Sequence, residues 1–296
     1  MHTCTLSVNG ETRSVYSNWS ESDIATKSPH SLILLFHGFP DINDTWLPIL
    51  PLLAEKFPRS LILAPKMLGY EQSTAGRPDS AYHLDHVAND YIIFTQFAKG
   101  APVHLVGHDW GACAAYRALS AHPKAFATVS TLAIPHCVVA SLLRSLIHVP
   151  KQAWLSSYML TMNLPSVYRP RMIQHTPIPY IKELWDYWSP GYEPEKEQFA
   201  AVCDALHEPN VTDSATAYYR NLIKMVDKSK WRIQWNERVL AIGGRKDGCM
   251  AVELFELDKK AHPENVVILD TVGHFMQRED PALIAKVLCD HIAKFD

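Results

Sequence analysis

Asp109 stands between two glycines in the run Gly107-His108-Asp109-Trp110-Gly111, directly after the apolar stretch Val103-His104-Leu105-Val106. A carboxylate at that point has three chemical uses. It can cap the helix that follows, join His104 and His108 around a metal ion, or sit on a sharp turn as a nucleophile. The metal fits least well, because residues 104 and 108 fall on a strand and its turn and no compact ligand set follows. Farther along, Asp247 and His274 supply an acid and a base, and with them the nucleophile reading outweighs the cap. The residue type then selects the reaction. A serine must lose a proton before it attacks, whereas an aspartate, with an ordinary pKa of about 3.9, is already an anion at neutral pH. It attacks a saturated carbon directly, opening an epoxide or expelling a halide, and becomes an ester. His274 is left to activate the water that hydrolyses that ester, with Asp247 orienting the ring. The tetrahedral intermediate on Asp109 needs backbone donors. The N–H groups of Phe39 and Trp110 are the simplest pair, since Pro40 has none. His37 reads as a structural hydrogen-bonding residue, and His274 keeps a plainer alternative as a cap on the last strand.

These groups act together only if the fold carries them to one edge. The chain opens on two short strand signals around Asn9-Gly10, a hairpin turn pair. The continuous apolar runs at 31–40 and 60–64, "VHLVG" at 103–107 and "FATVSTLAI" at 126–134 suit strands buried on both faces. Helical patterns separate them at 46–57, with Asp44 as its expected cap, at 82–97 and at 111–119. The alternation predicts an α/β domain with a mostly parallel sheet. In such sheets ligands bind at the carboxyl ends of the strands, which is where His37, Asp109, Asp247 and His274 fall. Between His136 and about Val226 the pattern becomes helical and aromatic and is divided by prolines, after which the strand–helix alternation returns. The expected organisation is a core in two parts, 1–135 and 229–296, interrupted by a helical insertion at 136–228.

Composition removes other classes of function. With 28 Lys and Arg against 31 Asp and Glu, the net charge of -3 gives no global drive toward nucleic acid or an anionic membrane surface, although a local basic patch stays open. No apolar run reaches the roughly 18 residues of a membrane span, and "MHTCTLSVNGETRSVY" lacks the basic start and apolar block of a secretory signal. The six cysteines are scattered without a close pair, which suits free thiols in a reducing compartment and predicts a cytoplasmic protein. Oligomeric state is not legible.

Four motifs together give a likeness: "HGFP" at 37–40, "GHDWGA" at 107–112, "GRKD" at 244–247 and "GHFMQREDP" at 273–281. With them the sequence resembles the α/β-hydrolase superfamily, in its epoxide hydrolase branch with the related haloalkane dehalogenases. The resemblance spans nearly the whole chain. It implies an α/β-hydrolase sheet flanked by helices with an inserted helical cap, no cofactor and no metal. It also implies Asp109 as nucleophile, His274 as base, Asp247 as its acid partner, and Phe39 and Trp110 at the oxyanion hole. Epoxide hydrolases add two cap tyrosines that hold the epoxide oxygen. Tyr219 in "AYYRN" matches one pattern and Tyr158 in "SYMLTMNLP" the other, where Met162 and Asn163 replace the usual Phe-Gln. The reactants so implied are a neutral, mainly apolar epoxide and water, and the product a vicinal diol.

The sequence departs elsewhere too. "LAPKMLGYEQS" has Lys66 and Glu71 where the family's Asp-x-x-Gly-x-Gly-x-Ser segment has Asp and its second Gly. Two competing functions remain. A haloalkane dehalogenase would hold halide with Trp110 and a cap tryptophan (Trp154, Trp185 or Trp188), although Phe39 occupies the position of the helpful Asn. A non-enzymatic ligand-binding protein on the same fold is motivated only by the unusual loop residues.

Overall fold

The structure is a computed structural model that describes residues 1–173, 180–222 and 228–296. Strands β1 (His2–Val8) and β2 (Glu11–Ser17) form an antiparallel hairpin. It turns at Asn9 and Gly10, both with positive φ (51° and 82°), as a two-residue hairpin turn requires. Six further strands follow: β3 (Leu32–Phe36), β4 (Leu61–Pro65), β5 (Val103–His108), β6 (Thr128–Leu132), β7 (Val239–Gly244) and β8 (Val266–Leu269). They make one 8-stranded sheet in the order β1-β2-β4-β3-β5-β6-β7-β8. β2 pairs antiparallel with β1 and β4, and every pairing from β4 to β8 is parallel. Every residue of β3 to β7 is buried. Helices cover both faces, and that is why these runs are apolar without alternation.

Two apolar clusters lie on opposite faces of the sheet. The smaller holds Ile33, Leu35, Trp46, Ile62 and Leu288, and the larger continues from Leu34, Phe36 and Leu105 into the cap. The cap leaves the core after β6 and returns before β7. It begins with short helices such as His136–Ala140, Leu142–His148, Lys151–Leu155 and Tyr158–Met162, and ends with Tyr180–Trp188, Lys196–His207 and Val211–Leu222. Proline accounts for several of the breaks, since it withholds a backbone donor and restricts the residue before it. Among the described residues no helix is long and apolar enough to cross a membrane.

Two local expectations need correction. The helix expected at 46–57 begins only at Leu50 and runs to Lys56, behind a separate 3-10 turn at Asn43–Trp46 that holds Asp44. Asp44 therefore caps nothing in that helix; Pro51 sits in its first turn, where the missing N–H costs nothing. The stretch 82–97 is likewise a helix only over Leu84–Phe94, continued by a 3-10 turn at Thr95–Ala98.

The unusual loop residue Glu71 has a partner that local sequence does not reveal. Arg13 of β2 is completely buried and donates from Nε to Glu71 (2.7 Å), from Nη1 to Asp90 (2.7 Å) and from Nη2 to the Lys66 carbonyl (2.6 Å). Glu71 also accepts the Ser14 N–H at 2.9 Å. The glycine-to-glutamate departure thus ties the loop after β4 to the hairpin.

Candidate active site

β5 passes into the helix Trp110–Ala121 through the single residue Asp109, whose φ of 52° and ψ of -118° lie outside the regions ordinary residues favour. Such a conformation costs about 1–3 kcal/mol and persists only where its surroundings enforce it. The flanking residues permit the turn. A Cβ on Gly107 would lie 2.3 Å from the Gly111 carbonyl oxygen, and one on Gly38 would lie 2.4 Å from Cβ of Asp109. Glycine is the residue that fits at both places.

Asp109 is almost fully buried, and its two oxygens face different partners. Oδ1 accepts the Phe39 N–H at 2.9 Å, and Oδ2 lies 3.6 Å from Nε2 of His274. On the other side of that ring, Nδ1 donates to Oδ2 of Asp247 at 2.9 Å. Oδ1 of Asp247 accepts two backbone N–H groups, from Cys249 (2.6 Å) and Met250 (2.8 Å), which fixes the carboxylate. Trp110 begins the helix, where the first N–H groups have no intrahelical partner. The structure therefore brings Asp109, Asp247, His274, Phe39 and Trp110 to one point, from loops after β3, β5, β7 and β8.

Electrostatics divide these groups sharply. Burial alone would push the His274 imidazolium down, but Asp247 and Asp109 on its two sides outweigh burial and hold its pKa up at about 10. Burial would likewise raise Asp109, and the His274 beside it keeps the carboxyl below its ordinary range. The resting state is a carboxylate–imidazolium–carboxylate row. His37 and His108 behave oppositely: burial lowers each to about 4, so both are neutral. His37 bonds the Gly38 carbonyl through Nδ1 (2.9 Å) and accepts the Met67 N–H at Nε2 (3.0 Å), a structural role. His108 reaches the His274 carbonyl from Nε2 at 2.9 Å.

The cap closes the site from above. The rings of Tyr158 and Tyr219 meet edge to face at 5.8 Å, and Tyr219 also rests on Trp110 (4.9 Å) and Phe39 (5.4 Å). Among the described residues the buried Tyr219 hydroxyl has no hydrogen-bond partner, while that of Tyr158 meets only the soft Sγ of Cys249 at 3.6 Å. Burial pushes both phenols well above 10, so both are neutral donors. A cavity of about 320 Å³ runs from Asp109, Trp110 and Tyr158 outward between Ile134, Val139 and Leu143. Met162, in the place of the family's Phe, is completely buried, and Asn163 bonds the Met159 carbonyl at 2.8 Å.

The three cap tryptophans separate clearly. Trp154 is mostly exposed, and Trp185 spends its Nε1–H on the Pro40 carbonyl at 2.9 Å. Trp188 is buried, with no partner for its Nε1 among the described residues, against Tyr158 (4.8 Å) and His274 (5.0 Å). Two residues that the sequence did not single out, Gln152 and Cys249, support the site, and Trp188 does so through its backbone as well as its ring. The Trp188 carbonyl accepts the N–H groups of both Gly248 (3.0 Å) and His274 (3.1 Å). Buried Gln152 pins the Asp247 loop through the Cys249 carbonyl and the Ala251 N–H, both at 2.9 Å. Cys249 faces Tyr158. No local motif marks Gln152 or Cys249, since each acts through a contact distant in sequence.

Asp247, Cys249 and His274 also form a group whose donor atoms lie within 4.8 Å of one another, a spacing that metal ligands share. The carboxylate and the imidazole are already bonded to each other there, which fits an acid–base pair better than a ligand set.

A family model for the alpha/beta hydrolase fold matches residues 31–281. The chain belongs to this family. The chain is 23% identical to the AB hydrolase superfamily protein YfhM of Bacillus subtilis, over 88% of this chain and 90% of that one. An epoxide hydrolase of Caballeronia sordidicola is 34% identical over 44% of this chain and 42% of its own. Among solved structures, epoxide hydrolase A of Mycobacterium thermoresistibile superposes with a TM-score of 0.73 at 20% identity, covering 100% of this chain and 99% of that one.

Proposed function

We propose that the protein is a cofactor-independent epoxide hydrolase that converts a neutral, mainly apolar epoxide to a vicinal diol. One observation carries this reading: a buried carboxylate at the strand-to-helix turn, bonded to the Phe39 N–H and facing His274, lies under a tyrosine whose hydroxyl has no partner among the described residues. The relatives and solved structures named as epoxide hydrolases support it.

Oδ2 of Asp109 attacks an epoxide carbon and forms the ester, while Oδ1 stays with the Phe39 N–H. The Trp110 N–H, without an intrahelical partner at the start of its helix, is the second donor for the later oxyanion. Tyr158 and Tyr219 hold the epoxide oxygen, and one of them gives it a proton as the C–O bond breaks. The imidazolium of His274 returns that proton to the tyrosinate. Esterification has meanwhile removed the charge of Asp109, one of the two carboxylates that kept His274 protonated. The ring becomes a base only after the substrate is bound covalently. It then takes a proton from water, which attacks Cγ of Asp109. Collapse of the intermediate expels the alkoxide, which takes the proton of the new Cγ hydroxyl, directly or by way of His274. This releases the diol and restores Asp109 as a carboxylate beside the imidazolium.

The test is trapping. His274→Gln should accumulate protein heavier by the mass of one epoxide, located on Asp109 by peptide mass spectrometry, and Asp109→Ala should form no diol. In ¹⁸O water, a single turnover of wild type should yield unlabelled diol, because the transferred oxygen comes from Asp109. Immediate label in the diol would sink the covalent route. A dehalogenase reading keeps one support, the unpartnered Nε1–H of Trp188, and free halide released from haloalkanes in place of diol would favour it. The scattered thiols support a cytoplasmic location.

A further inference from the structure

The outer face of the cap carries a feature that the chemistry does not use. Leu143, Ile147, Trp154 and Leu160 are 70%, 68%, 76% and 71% exposed, and Leu164 is exposed beside them. They fall on or just after three consecutive short helices, Leu142–His148, Lys151–Leu155 and Tyr158–Met162. Tyr187, also exposed, extends this apolar surface through a groove it shares with Trp154 and Arg171. Isolated exposed apolar residues are ordinary, but a concentrated set marks an interaction surface.

Charge says what the surface meets. The chain as a whole carries -3, yet no Asp or Glu occurs anywhere from Trp110 to Lys182. The helix of Tyr187 adds Glu183 and Asp186 at the edge of the face, the latter paired with Lys182. Carboxylates from elsewhere neutralise Lys151 (Glu253, 2.7 Å) and Arg169 (Asp213, 2.9 Å). Arg144 stands exposed between Leu143 and Ile147, and Arg171 borders the groove with Trp154. A second copy of the same face would bring the same basic groups and, from residues 110–182, no carboxylate to pair with them, which disfavours self-association. A tryptophan and several aliphatic side chains interspersed with basic groups instead match the acyl–headgroup boundary of an anionic membrane.

We propose that the cap face formed by residues 143–164, with Arg171 and Tyr187, docks on the surface of an anionic phospholipid bilayer. Leu143 belongs both to this face and to the lining of the cavity that leads to Asp109. Docking therefore sets the cavity mouth at the layer where neutral apolar molecules partition. That consequence for substrate supply rests on the epoxide reading; the docking itself does not.

The experiment is flotation of the full chain, without substrate, on vesicles of phosphatidylcholine alone or with 30 mol% phosphatidylserine. The proposal expects co-flotation with the anionic vesicles, at least tenfold weaker binding to the neutral ones, and loss in about 0.5 M salt, where screening shortens the reach of charge. The triple variant Ile147→Ser, Trp154→Ser, Leu160→Ser should lose at least tenfold in binding. Arg144→Glu should lose about fivefold or more, from the worth of one basic group near the headgroups. Both should keep the wild-type circular dichroism and the wild-type turnover of a water-soluble epoxide. Flotation persists even if no epoxide is turned over, so the two readings fail separately. Absence of wild type from the anionic fraction would overturn the proposal, as would equal flotation by the triple variant. So would a wild-type dimer in light scattering that this variant converts to monomer.

Discussion

His274 lies between two carboxylates, and that placement has a consequence a titration can read. Its pKa, held up at about 10 by Asp247 and Asp109 against the downward pull of burial, exceeds the ordinary value of about 6.5 in the unfolded chain. A raised pKa means the folded state binds the proton more tightly. The resulting stabilisation is fully present below pH about 6.5 and declines until it is lost at about 10. Asp109→Asn imitates the neutral ester and should lower the pKa of His274, as read from the nitrogen chemical shifts of labelled imidazole. Its stability should therefore fall less than that of wild type between pH 7 and 10, measured by chemical denaturation. A wild-type ring that loses its proton near 6.5 would contradict the carboxylate–imidazolium–carboxylate row.

At the scale of elements, Arg13 shows how a loop departure is compensated. The completely buried guanidinium joins β2, the loop after β4 and the helix Leu84–Phe94 through Glu71, Lys66 and Asp90. Removing one member of a buried charged group leaves the others uncompensated, a loss of about 3–5 kcal/mol. Arg13→Ala strands two carboxylates, so it should cost at least that in urea unfolding. Glu71→Gly leaves Arg13 paired with Asp90 and should cost distinctly less. Equal costs would mean that Glu71 carries more of the charge balance than Asp90. None of this was legible in advance: Glu71 stood out as a departure in its loop, but its partner is 58 residues away in sequence. The strands were legible because the buried sheet leaves continuous apolar runs. The start of the helix at Leu50 was not, because Asp44 has the composition of a cap without the position of one.

Across the whole molecule, the cap and core are joined at the site itself. Tyr218 donates to the Leu68 carbonyl at 2.6 Å, Arg220 pairs with Asp79, and the Trp188 carbonyl takes N–H groups from the loops that bear Asp247 and His274. A Cβ on Gly248 would lie 1.9 Å from the Tyr187 carbonyl oxygen. Gly248→Ala should push the helix Tyr180–Trp188 away from both loops. We expect kcat/KM for an epoxide to fall at least tenfold, with a melting point lowered by several degrees. Unchanged kinetics would show that the cap need not contact these loops for turnover.

Residue identity and apolar patterning were enough to read the class of fold and to pick out the turn. Asp rather than Ser between Gly107 and Gly111 puts a group that is already charged at that turn, and residue identity alone carries that information. Buried parallel strands likewise leave apolar runs that can be read in one dimension. Tertiary structure decided the rest, because it depends on distances between residues far apart in the chain. It set His274 between Asp109 and Asp247, left Trp154 outside the site and Trp188 within it, and gave Arg13 its counter-charges. It also left Leu143, Ile147, Trp154 and Leu160 of an acid-free stretch of sequence exposed. Desolvation and Coulomb interaction act through space, so neither is fixed until the chain has folded.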